Sequence, residues 1–386
     1  MSTPEAPSEL HHHVTSGDHR RLFLHLISGF RRVDILIVES RHAQDLASVT
    51  LGFTYARYNP SARPPWWCFQ FWLYRMFKVS EVPRSAKSLV AIAKVLRVSA
   101  IVSSDAFDPL HLAASHLFGV HLYMVQHGIY IDQRRLAVKR KPEIEDKPSR
   151  VTLFALGEYD IHNYRKRGFR PQRIIPCGTL KNSVYSLSKS NSDAQQTIKF
   201  DICIVEKGIV LSPNSPLDGL RLKSWKSFFL ALDLFCQQFK PRVIIALSNG
   251  DQSQAVLAWI KRHFSANFET TDDIDVFATY KVVDYSNLTI GQGSTVLCEA
   301  LSRGKKILSV DYTGTGFWTL PGNGIFQLES PTPSELSQRI HKLLRIDWET
   351  YRQSLPPELL ELVVNNPRAA VSTISATITA DIARPS

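Results

Sequence analysis

Apolar, β-branched runs alternate with longer segments of helical periodicity along most of the chain, the order that builds parallel sheets with crossover helices. In the first half this pattern predicts strands at 33–38, 100–104, 121–126, 151–156 and 173–176, with helices between them at 85–96 and 109–118. The alternation restarts at Phe200, predicting strands at 201–205, 242–247, 274–278, 288–291, 306–310 and 324–328. Helices are expected there at 224–238, 252–264 and 294–303. Residues 186–197 (SLSKSNSDAQQT) are polar, Ser-rich and without apolar periodicity, which reads as a linker. The expected organisation is a disordered tail (1–20), a Rossmann-like domain (21–190), a second one (198–352), and a C-terminal helix and tail (353–386) loosely held after Asn366. Two doubly wound α/β domains facing each other leave a cleft between the carboxyl ends of their sheets, where such folds bind ligands.

A length of 386 residues suits two domains, and 44% hydrophobic with 21% charged residues excludes disordered and membrane-spanning classes. No apolar run reaches the ~18 residues of a membrane-crossing helix. Residues 1–18 carry His11, His12 and His13 but lack the basic start and apolar core of a signal peptide. The expectation is a cytoplasmic protein whose first residues dangle; a metal ion on the three histidines is the other reading of that tail. The cysteines, Cys68, Cys177, Cys203, Cys236 and Cys298, form no CxxC or Cys/His cluster and sit in apolar stretches, so buried thiols and no metal site are expected. A net charge of +11 calls for nucleic acid, anionic lipid or an anionic substrate as partner. No helix-turn-helix, zinc-finger or RNA-binding signature accompanies it, which sets nucleic acid aside.

The strongest local feature is 288–310, LTIGQGSTVLCEALSRGKKILSV, which reads strand, glycine turn, helix, glycine stop, strand. Gly291 and Gly293 allow a sharp turn and close approach of a ligand, Ser294 stands at the N-cap position, and Gly304 at the helix stop. Free N–H groups at that helix start, with the Ser294 and Thr295 hydroxyls, suit phosphate oxygens. Glu299 lies one turn beyond Thr295, where a carboxylate can accept ribose hydroxyls. An ordinary well-capped βαβ turn is the alternative.

This run resembles the donor-binding segment of GT-B glycosyltransferases, in which a glycine turn, a Ser/Thr pair and a Glu within an "EAL..GK" helix hold a nucleotide sugar. TYKVVDYSN (279–287) before it and residues 331–351 after it resemble the flanking helices of those enzymes. In the first half, MVQHGIYI (124–131), LFALGEYDIHNYRKRGF (153–169) and IIPCGTLKNSVY (174–185) resemble bacterial capsule and lipopolysaccharide β-Kdo transferases and, more distantly, CDP-glycerol glycerophosphotransferases. The resemblance implies a GT-B-like fold and transfer of a sugar, Kdo from CMP-Kdo being the named candidate, to a lipid-linked or oligosaccharide acceptor in bacterial surface polysaccharide synthesis. No cofactor beyond the nucleotide-sugar co-substrate is implied.

Glycosyl transfer needs a base or nucleophile near the anomeric carbon, donors for the departing phosphate, and a dry cleft. Asp105, at the end of AIVSSD, is a candidate base or nucleophile. The resemblance gives it the nucleophile's role, whereas the residues alone leave a helix-capping role open. His127, in a glycine turn, suits acid/base work or contact with a phosphate or hydroxyl, with Gln126, Gly128 and Tyr130 beside it as substrate contacts. Glu158 is a third catalytic candidate, with helix capping as its alternative. Lys207, in the turn VEKG, could meet the leaving group, and Ser248 could line the base pocket. The acidic run TTDDID (270–275) resembles the DxD metal motif of the other main glycosyltransferase fold but precedes a predicted strand, so a solvated turn and no metal requirement are expected.

Residues 65–79, PWWCFQFWLYRMFKV, place tryptophans beside basic side chains, which is either core or a face for anionic lipid headgroups. Two further readings share the architecture: a non-hydrolysing UDP-sugar 2-epimerase, and an inactive GT-B-like protein that binds glycan or a partner.

Overall fold

A computed structural model describes residues 12–14, 35–38, 48, 55–58, 98–104, 120–129, 150–166, 171–189, 197–206, 209–211, 216–247, 253–271, 275–316, 318–362, 364 and 366–382. Two wholly parallel sheets organise them. The first has strands β1 (His12–Val14), β2 (Ile35–Val38), β3 (Tyr55–Tyr58), β4 (Ala100–Ser103), β5 (His121–Val125), β6 (Val151–Ala155) and β7 (Arg173–Pro176), in the order β1-β3-β2-β4-β5-β6-β7. The second has β8 (Phe200–Val205), β9 (Val243–Ala246), β10 (Phe268–Thr270), β11 (Ser286–Gly291), β12 (Lys306–Asp311) and β13 (Gln327–Glu329), in the order β10-β9-β8-β11-β12-β13. The described helices are α1 (Glu158–Lys166), α2 (Leu180–Ser188), α3 (Pro216–Phe239), α4 (Ser253–His263), α5 (Ala278–Asp284), α6 (Thr295–Ser302), α7 (Pro333–Arg345), α8 (Trp348–Gln353), α9 (Pro357–Glu361) and α10 (Ala369–Ile382).

Central strands such as β4, β6 and β12 are buried along their whole length, as near-continuous apolar runs require when helices cover both faces. Strand order reverses between β2 and β4 in the first sheet and between β8 and β11 in the second, and such reversal points are where open α/β sheets form their ligand crevices.

Several elements differ from the sequence reading. Residues 274–278 were expected as a strand, but the edge strand is Phe268–Thr270 and the chain then enters α5. Buried Tyr280, Val283 and Asp284 give that stretch a helical spacing, and the Asp275 side chain accepts from Phe277 N to start the turn. Residues 186–188, assigned to the linker, form the last turn of α2, whose N-cap Thr179 accepts from Asn182 N. Residues 12–14 pair with Ala56–Tyr58 rather than dangle. The largest correction is at the C-terminus. Residues 369–382 form α10, with Ala370, Ile374 and Ile378 buried at four-residue spacing in the core of the first sheet. Asp381 near its end accepts from Tyr123 Oη (2.9 Å) and pairs with Arg173, so the chain ends by crossing back onto its first half. The helices expected at 85–96 and 109–118 and the aromatic segment 65–79 lie outside the described residues.

Candidate functional site

The glycine turn after β11 follows the sequence expectation closely. Gly293 has φ +58°, and Ser294 caps α6 from extended geometry with its hydroxyl accepting from Val296 N. Gly291 pairs with Val205 of β8, and a Cβ on it would come within 3.3 Å of the Val205 carbonyl, so glycine allows the two strands their close approach. Gly304, with φ +76°, ends the helix. Val296 N is served by the cap and Leu297 N by the Ser294 carbonyl, but the amides of Gly293, Ser294 and Thr295 meet no acceptor among the described residues. Three unused N–H groups at the positive end of a helix are an anion site in form and charge.

That helix start faces the first sheet. Ile129 N donates to Thr295 Oγ1 at 3.1 Å, and a Cβ on Gly128 would sit 3.1 Å from the same oxygen. His127, exposed, precedes these two residues. Its Nδ1 donates to the Ser104 carbonyl at 2.8 Å just beyond β4, which fixes the tautomer and makes Nε2 the basic nitrogen of the ring.

Gln126, expected to touch substrate, is fully buried. Its Nε2 donates to Gly128 O (2.9 Å) and Asp160 Oδ2 (3.0 Å), and its Oε1 accepts from Leu156 N, so the side chain braces the turn that carries His127. Glu158 is exposed at the first position of α1. Gly157 before it packs on the backbone of Glu361 and Leu362 so closely that no Cβ fits. Asp105, Tyr130, Lys207 and Ser248 lie outside the described residues, although each adjoins a described one: Asp105 follows Ser104, Tyr130 follows Ile129, Lys207 follows Glu206 just past β8, and Ser248 follows Leu247 just past β9.

The other end of α6 is built differently. Glu299, expected to receive ribose hydroxyls, is 6% exposed and receives two protein hydroxyls: Thr179 on Oε1 (2.5 Å) and Tyr280 on Oε2 (2.8 Å). Arg303, with its side chain 5% exposed, pairs with Asp284 at 3.0 Å and donates to Asn182 Oδ1 from α2. Its guanidinium lies over Tyr280 and Tyr185, 4.9 and 5.4 Å from the ring centroids. Tyr185 and Lys189 reach Asp284 from the first half. Burial alone would push the Asp284 carboxyl up, but the opposing charges of Arg303 and Lys189 outweigh it and hold the group below its ordinary value. The lysines of the GKK run turn to carbonyls: Lys305 to Asp284 O, Lys306 to Leu343 O and Ile346 O.

Sequence reasoning missed this seam because no local signal says that α2 lies against α5 and α6. It also missed Trp318 and Arg221. Trp318 packs on Gly293, and Arg221 of α3 stacks on Trp318. The thiols of Cys177, Cys203 and Cys236 are pushed up to about 12 by burial, and Cys298 higher still, which keeps them in the unreactive thiol form. Among the described residues no group of three or more His, Cys, Asp or Glu could hold a metal ion, and no helix is long and apolar enough to cross a membrane.

The sequence matches no family model and no curated protein. Solved structures do match its fold. UDP-GlcNAc 2-epimerase from Neisseria meningitidis, bound to UDP-GlcNAc, superimposes with a TM-score of 0.56 at 12% identity, over 91% of this chain and 100% of that one. The Methanocaldococcus jannaschii UDP-GlcNAc 2-epimerase in complex with UDP-GlcNAc and UDP gives 0.53 at 11%, over 90% and 100%. A variant of the wall teichoic acid polymerase TagF gives 0.53 at 11%, over 91% and 89%. The chain thus has the GT-B-type α/β fold with parallel sheets that its sequence implied. The likeness is one of fold and does not single out Kdo transferases.

Proposed function

We propose that the chain is a glycosyltransferase that moves a sugar from a nucleotide-activated donor to a lipid-linked or oligosaccharide acceptor in bacterial surface polysaccharide synthesis, on the cytoplasmic side. One observation carries this reading. The Ile129 N to Thr295 Oγ1 bond brings the exposed His127 turn of one sheet to the amino end of α6 in the other, where three amides meet no acceptor among the described residues. A donor phosphate on those amides sits beside a histidine whose Nε2 is basic.

The chemistry then needs few parts. His127 Nε2 takes the proton of an acceptor hydroxyl as its oxygen bonds to the anomeric carbon, and the bond from that carbon to the phosphate oxygen breaks. The negative charge that develops on the departing phosphate is met by the α6 amides and helix dipole, donors already in place before reaction. Asp105, next to the carbonyl that orients His127, is the candidate for the alternative double displacement.

A thermal-shift series with CMP-, UDP-, GDP- and CDP-linked sugars, including CMP-Kdo, tests the binding half. A true donor at a hundredfold excess over its Kd adds about 2.7 kcal/mol of stability. Product analysis with and without acceptor tests the reaction. Sugar transfer that depends on acceptor supports the proposal, and an epimerised sugar formed with no acceptor replaces it with the 2-epimerase reading of the shared fold. A protein stabilised by none of these donors is not this enzyme.

A further inference from the structure

The amide of Gln126 has a donating and an accepting side of nearly the same shape, so it serves the His127 turn in one orientation and opposes it in the other. As placed, Nε2 donates to Gly128 O at 2.9 Å and to Asp160 Oδ2 at 3.0 Å, while Oε1 accepts from Leu156 N at 3.4 Å. With the two sides exchanged, the amide oxygen would meet the Gly128 carbonyl and the Asp160 carboxylate, and the amide nitrogen would meet the Leu156 N–H. Gln126 is fully buried, so these mismatched pairs would have no solvent to serve them. Of the three partners Asp160 is the carboxylate, which accepts and does not donate and forms the stronger, charge-assisted kind of bond.

The fold holds Asp160 in place. It lies in the first turn of α1, is itself buried, and is followed by buried Ile161 and Tyr164. Gly157, just before that helix, leaves no room for a Cβ against the backbone of Glu361 and Leu362, at the end of α9. The stretch that follows the second sheet therefore seats α1 and, through Asp160, sets the amide of Gln126.

We infer that Asp160 is a positioning residue for His127 and acts through Gln126. The bond from Gln126 to Gly128 O spans residue 127 and clamps its main chain, while the ring is tied at Nδ1 to Ser104 O. A loosened turn lets the ring leave that carbonyl, and an imidazole so released favours the tautomer with its proton on Nε2, which is then no longer a base. The effect of Asp160 on turnover rests on the function proposed above; its effect on the ring does not.

Nitrogen NMR of the full chain with isotope-labelled histidine reads the ring without any substrate, the His127 signals being assigned by their loss in His127→Gln. Well above the ordinary histidine pKa of about 6.5, the wild type should carry its proton on Nδ1. Asp160→Ala should move that proton largely to Nε2 and lower kcat about 10–100-fold toward the nucleotide sugar that stabilises the chain, with nucleotide affinity unchanged. Asp160→Asn, whose Oδ1 still accepts from Gln126, should keep the wild-type tautomer and most of the turnover. Should Asp160→Ala fail to fold, Asp160→Ser, too short to reach the amide, gives the same reading. An Nδ1 proton that persists in the folded Ala or Ser variant overturns the inference, as does a wild type with its proton on Nε2. Failure of the underlying function looks different: the tautomer changes as expected, but the wild type transfers no sugar.

Discussion

Helix α6 meets the rest of the protein in opposite ways at its two ends. At the carboxyl end, Glu299 and Arg303 are enclosed by Thr179, Asn182, Tyr280 and Asp284, with a protein partner for both carboxylate oxygens. At the amino end, among the described residues, one bond from Ile129 N crosses to the first sheet and three amides meet no acceptor. Both ends touch the first half, so contact between the halves does not distinguish them; saturation does. A satisfied polar network fixes geometry, whereas unsatisfied donors are tolerable only where solvent or a ligand serves them. One end acts as the fastening and the other as the site.

The comparison breaks most directly at His127. If the open end carries the chemistry, His127→Ala should lower turnover by about 10²–10⁴-fold while nucleotide affinity and Tm stay unchanged. Single-turnover assays with the donor found by thermal shift provide the check, and equal turnover in the variant would return the histidine to a structural role.

Next comes the fastened end, where the expected loss is of stability. Arg303→Met takes from the buried Asp284 carboxylate the more deeply buried of its two cationic partners, a change worth about 3–5 kcal/mol in such pairs. Lys189 still reaches Asp284, so the lower part of that range is expected in urea denaturation. The sign of the pH dependence follows from the depressed carboxyl. Asp284 has its folded pKa below the ordinary 3.8, so its stabilising contribution is complete above that value and is lost as pH falls through the folded pKa. The stability gap between wild type and Asp284→Asn should be constant at higher pH and shrink below about pH 4; a gap that widens toward acid would show the carboxyl to be raised instead.

How much of this was legible in sequence depended on the range of the cause. The turn from Gly291 to Ser294 could be read because its cap, positive φ and helix start are set by neighbours within a few residues. Most strands of the second half were found within a residue or two where an apolar run was bounded by turns, but the one expected at 324–328 is the shorter Gln327–Glu329. The short run at 274–278 misled because β-branched and apolar residues in so brief a segment fit either period. Helix α10 was hidden for another reason. Its residues 369–382, AAVSTISATITADI, are small and weakly amphipathic, and only the groove offered by α2 and the first sheet makes them a buried helix. Glu299 shows the limit of motif reasoning, since its position was found but its protein partners, Thr179 and Tyr280, were not.

Gly293→Ala tests whether the turn and its indole form one unit. Placing a Cβ at φ +58° costs about 1–2 kcal/mol, and the contact at 2.1 Å also forces Trp318 to move. The expected result is a lower Tm together with a weakened nucleotide, accompanied by a change in tryptophan fluorescence. Loss of stability with full nucleotide affinity would separate the turn from the binding site.

The smallest effect expected is at Gly128, and it probes the single bond across the open end. A Cβ there would lie 3.1 Å from Thr295 Oγ1, a contact that the hydroxyl can relieve by moving a few tenths of an ångström. That movement stretches the bond from Ile129 N, whose net worth is about 0.5–1.5 kcal/mol. Gly128→Ala should therefore raise KM by a few fold with kcat nearly unchanged, because the histidine and the amides remain while the halves are held together less tightly at that end. An equal fall in kcat would mean that the bond positions His127 in the transition state, which would make the crossing bond part of the catalytic geometry.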